Sequence, residues 1–91
     1  MEPHNKTIMY INQKKETRTG FVMRTLIQPG TRNESDAYIL EMNRGEVRIG
    51  LRNNRAYETE VFETYINEEV RVTGSMHQGV FLVDDIVRTN E

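Results

Sequence analysis

Ninety-one residues bound this chain to one small domain with a modest core. The lack of cysteine excludes disulfides, a thiol nucleophile and a thiolate zinc site. A formal charge of −2 argues against indiscriminate attraction to nucleic acid, and no run of about 18 apolar residues is present to span a membrane.

The opening stretch "MEPHNKTIMYINQKK" has no apolar segment of the signal-peptide kind, which points to the cytoplasm. Residues 1–17 read as an N-terminal arm or a short extra strand around Ile8, Met9, Tyr10 and Ile11, followed by the polar connection "NQKKET". Residues 18–91 read as the folded domain. Residues 19–28, "TGFVMRTLIQ", are rich in β-branched and bulky side chains and predict a strand, with Gly20 marking a bulge or a tight bend. "PGTRNESD" is a loop of turn-forming residues. "AYILEM" predicts the second strand, and "NRG" a short hairpin connection with glycine at a positive φ.

"EVRIGLR" alternates most regularly. Val47, Ile49 and Leu51 share one side, and Glu46, Arg48, Gly50 and Arg52 the other. The period then changes: Phe62, Tyr65 and Ile66 stand at i, i+3 and i+4, which predicts one short helix over 57–66. "EVRVTGSM" and "VFLVDDIVR" predict two closing strands joined by the tight turn "HQG", with Gly74 as the expected site of a positive φ or a bulge.

The predicted architecture is all-β with one short helix. A small polar sheet must hide its edges, and closing five strands into a ring does so, with the amphipathic helix filling an open end. "TGFVMR", "YILEMNRGEVRIGL", "FETYINEEVRVTGSM" and "GVFLVDDIVR" resemble, in order and spacing, the strand and helix signatures of OB-fold domains of the nucleic-acid-binding type. The resemblance covers most of the chain. It implies a five-stranded, partly open Greek-key barrel that binds on the face of its second and third strands. Another small all-β barrel, such as an SH3-like one, or a sandwich fragment fits the same strand count.

The residues offer no catalytic constellation. His4 and His77 have no partner at ligand spacing, Ser35 and Ser75 lie in no nucleophile motif, and there is no phosphate-binding glycine loop. Asp84 and Asp85 are adjacent, so in a regular strand they point to opposite faces. The glutamates at 58, 60, 63, 68 and 69 read as a solvated acidic face. The reading is therefore a non-enzymatic binding module with no cofactor and no metal.

The candidate site is basic. Residues 44–55 set four arginines, Arg44, Arg48, Arg52 and Arg55, against Glu46 alone, and the first loop adds Arg32. Guanidinium groups suit phosphate oxygens and stack on bases. These five arginines are the expected contacts to single-stranded nucleic acid. Gly50 between Arg48 and Arg52 leaves a gap for close approach. Tyr38 shares the inward parity of Leu40 and Met42, and Phe21 faces out if Val22 faces in. The alternative is a protein-interaction or assembly module, including a homodimer through the edge of the first or last strand. The arginines would then be a solvated face paired with Glu41 and Glu46.

Overall fold

The structure, a computed structural model, describes residues 14–53 and 55–90. The expected arm or strand around residues 8–11 lies outside them. In chain order come β1 (Glu16–Ile27), β2 (Ser35–Met42), β3 (Gly45–Leu51), a 3-10 turn (Arg55–Tyr57) running into α1 (Glu58–Thr64), β4 (Glu69–His77) and β5 (Val80–Arg88). The described chain is mostly sheet with one short helix. Its five strands form a closed ring in the order β1-β2-β3-β5-β4, with β4 returning antiparallel to β1. The β3–β5 pair is parallel; the other pairs are antiparallel.

The long β1 closes the ring. Its first half, from Glu16 to Phe21, pairs with β4, and its second half, from Phe21 to Ile27, pairs with β2. The strand therefore starts at Glu16, earlier than the run of β-formers at residue 19. Glu16 and Thr17 face Gly74 and Thr73 across the ladder while their side chains stay exposed. Polar composition marks that exposure and conceals the backbone pairing. At Gly20 neither ladder shifts register. A Cβ there would lie 2.5 Å from the Glu41 carbonyl oxygen, so the glycine permits close approach where β1 passes from one partner strand to the other.

The strand parities follow the alternation. Val22, Leu40, Ile49, Val70, Val72, Phe81 and Val83 point into the ring and are buried, Tyr38 with them, while Phe21 points out and is exposed. The β4–β5 hairpin is a two-residue turn with Gln78 and Gly79 both at positive φ, 52° and 83°. That combination matches the right-handed twist of the flanking strands. Gly45 takes φ 127° after the β2–β3 turn, as "NRG" predicts.

Gly74 is a bulge position without a positive φ. The ladder places Thr73 opposite Asp85 and Gly74 opposite Val83, leaving Asp84 as the extra residue on β5. β4 does not end there but continues to His77.

Helix α1 has seven residues and no side-chain N-cap bond, too short to hold itself together in water. Packing holds it: Phe62 is fully buried in a core cluster to which every strand contributes, with Val61, Tyr65 and Ile66 half-buried against that cluster. Beyond the helix Asn67 adopts φ 65°, a conformation asparagine tolerates. Its N–H donates to the Val22 carbonyl at 2.8 Å, and the Val22 N–H donates to the Glu68 carbonyl at 3.3 Å. This turn ties the plug to β1. The ring leaves part of one strand single-sided, since β5 pairs with β3 only from Val80 to Val83 and with β4 alone beyond.

Candidate functional site

The outward face of β2, β3 and β5 carries a cleft of about 230 Å³. Its walls come from four places: Asp36 and Ala37 at the start of β2, Arg48 and Gly50 on β3, Glu58 and Thr59 at the start of α1, and His77 and Gln78 in the β4–β5 hairpin. Val80 and Leu82 on β5 complete it. The pairing explains the floor. Arg48 lies beside Val80, and Gly50 beside Leu82, so two apolar side chains flank the bare backbone of Gly50.

The gap expected at Gly50 exists, but it is not empty. Glu58 Oε2 lies 3.0 Å from where a Cβ on Gly50 would sit, with Val80 Cγ1 at 3.5 Å and Leu82 Cδ2 at 3.6 Å. Glu58 is half-buried and Arg48 exposed. Among the described residues neither side chain has a hydrogen-bond or ion-pair partner. A cation and a carboxylate thus open on the same cleft without satisfying one another. The reading of the glutamates as one solvated face misses this, because the fold turns Glu58 onto the sheet.

The five arginines are dispersed. Arg48 is the one that lines the cleft. Arg44 is exposed in the β2–β3 turn, four residues away, roughly 13 Å along the strand. Arg32 is exposed in the loop between β1 and β2. Arg55 belongs to the 3-10 turn, and its side chain lies outside the described residues.

Arg52 is bound into the framework. Its Nε donates to Asp84 Oδ1 at 2.8 Å, its Nη2 donates to the hydroxyl of buried Ser75, and Lys15 Nζ lies 3.4 Å from the other Asp84 oxygen. The bulge that makes Asp84 the extra residue puts it within reach of all this. Both aspartates border one shallow groove, an outcome that regular alternation forbids and a bulge allows. The anticipated pairing of the arginines with Glu41 and Glu46 does not form among the described residues. Those two glutamates stand directly opposite each other on β2 and β3.

A second cluster supports the cleft from behind. Arg24 on β1 clasps Glu63 of α1 with both ends of its guanidinium, Nε to Oε2 at 2.8 Å and Nη2 to Oε1 at 2.6 Å. The Tyr38 hydroxyl donates to the same carboxylate at 2.7 Å. Three elements meet there, β1, β2 and the last turn of α1. The Arg24 bonds foremost, and then that of Tyr38, hold the Glu63 carboxyl below its ordinary value of 4.5. Burial first, and then the Glu63 bond, push the Tyr38 hydroxyl up. A depressed carboxylate stabilises the fold fully above its unfolded value, and that contribution is lost as pH falls through the lower native value. Denaturant melts between pH 7 and pH 3 should therefore show a stability loss in the acid limb that is shallower in Glu63→Gln. Identical slopes in the two proteins would exclude this clasp as a contributor.

Among the described residues no group of three His, Asp or Glu gathers into a metal-holding cluster, and no helix is long and apolar enough to cross a membrane. No protein-family model, curated protein or solved structure matches this chain.

Proposed function

We propose that this chain is an OB-type Greek-key barrel that binds single-stranded nucleic acid, without catalysis and at modest affinity, on the outward face of β2 and β3. The observation that carries the reading is the position of the cleft. It opens on the second and third strands, between the start of β2 after the first loop and the β4–β5 hairpin, where barrels of this type take oligonucleotides. The strand order β1-β2-β3-β5-β4, with the helix between β3 and β4, supports the same assignment.

In this reading Arg48 takes a phosphate at the cleft. Arg44 in the β2–β3 turn and Arg32 in the first loop, both exposed, extend the track. Arg52 shapes the end of β3 through Asp84 and Ser75 and contributes little direct contact. The sparse aromatic surface suits weak binding, since stacking platforms supply much of the affinity in stronger single-strand binders.

Fluorescence anisotropy with labelled dT and rU oligomers tests this. Contact with two or three phosphates gives a log–log salt slope of about −1.4 to −2.1. Arg48→Glu should abolish binding while shifting stability by no more than about 0.5 kcal/mol, as exposed charge changes do. Failure of wild-type protein to bind at tens of micromolar in low salt would remove the proposal. Unchanged affinity in Arg48→Glu would move the site off this face.

A further inference from the structure

Resting on that reading, we infer that the cleft is a base pocket selective for guanine, with Glu58 as the residue that sets the selectivity. The floor is the first part of the argument. The cleft holds about 230 Å³, and Val80 and Leu82 of β5 give it an apolar wall beside Gly50 against which a base can pack. The rim is the second part. The Glu58 carboxylate reaches into the space over Gly50, half-buried and without a partner among the described residues. A group entering the cleft beside it meets a carboxylate that only accepts hydrogen bonds.

The bases differ in what they offer such an acceptor. Guanine presents two adjacent N–H donors, at N1 and N2, spaced to meet both oxygens of one carboxylate. Adenine and cytosine each offer one exocyclic amine, and thymine and uracil offer a single ring N–H between two carbonyls that face the carboxylate unfavourably. A bidentate, charge-assisted pair is both the strongest and the most directional of these. Arg48 stands on the same face two residues along β3, roughly 7 Å away, suited to the phosphate of the same or the next nucleotide. The opposed charges thus have separate tasks, one for the backbone and one for the base.

The test is anisotropy with labelled dT decamers that carry one central dG, dA, dC or deoxyinosine, beside the all-dT strand. The wild-type protein should bind the dG strand about tenfold more tightly than all-dT, the discrimination expected of one bidentate base contact. Deoxyinosine, which lacks the N2 amine, should lose most of that gain with no change to the protein. Glu58→Gln should bring dG and dT to within about twofold while keeping dT affinity or raising it, because a negative charge leaves the face. Equal wild-type affinity for dG and dT strands, or a dG preference that survives in Glu58→Gln, overturns the guanine pocket and leaves single-strand binding standing. Absence of binding to every strand overturns both.

Discussion

Phe62→Ala is expected to lower the stability of this domain by about 3–5 kcal/mol. Phe62 is fully buried, and its ring centroid lies 5.4 Å from that of Tyr38 in a tilted contact. Burying such a side chain contributes about 1.5–3 kcal/mol by area, and the cavity left behind adds to the loss because strands on all sides cannot collapse into it. The helix has no other fully buried residue and no side-chain N-cap bond, so removing its anchor also frees the plug. A 91-residue domain holds only about 5–14 kcal/mol in total. The variant should therefore melt more than about 12 °C below wild type, and its amide protection over 58–66 should fall to that of an open loop. A variant that melts within a few degrees of wild type would show that the helix does not seal the ring.

Gly74→Ala should be comparably severe, for a steric reason. A Cβ on Gly74 would stand 1.9 Å from the Leu82 carbonyl oxygen and 2.8 Å from its carbon, both backbone atoms of the neighbouring strand. Neither can yield without parting the β4–β5 ladder at the bulge. Overpacking a tight interior site costs about 1–3 kcal/mol, and a backbone clash this close belongs at or above the top of that range. The bulge also presents Asp84 to Arg52 and Lys15, so a displaced β5 would break that cluster as well. Gly50→Ala is the matched control. Its nearest neighbour is the end of the flexible Glu58 side chain, so its stability should change by less than about 1 kcal/mol. Urea titrations of the two variants side by side decide the matter. Equal midpoints would mean that the close approach at Gly74 is not a constraint.

The linear chain itself determined what depends on neighbours in sequence. The alternation of "EVRIGLR" dictated which side of β3 is buried, because a strand has period two whatever it pairs with. Gly79 marked the last hairpin through its own backbone preference, with Gln78 drawn into a positive φ beside it, and the spacing of Phe62, Tyr65 and Ile66 marked the helix and its buried edge. Tertiary structure alone decided which charges meet. Arg52 and Asp84 are 32 residues apart, and Arg24 and Glu63 are 39 apart. Only the parallel β3–β5 pairing and the seating of α1 against β1 and β2 bring these groups together, and a solvated charge looks the same in sequence as a paired one. The same holds for the bulge. One unpaired residue on β5 redirects Asp84, and no local pattern in "VFLVDDIVR" announces it. Glu58 is the clearest case: composition assigns it to an acidic helix face, whereas the path of the chain from β3 into α1 lays its carboxylate over Gly50.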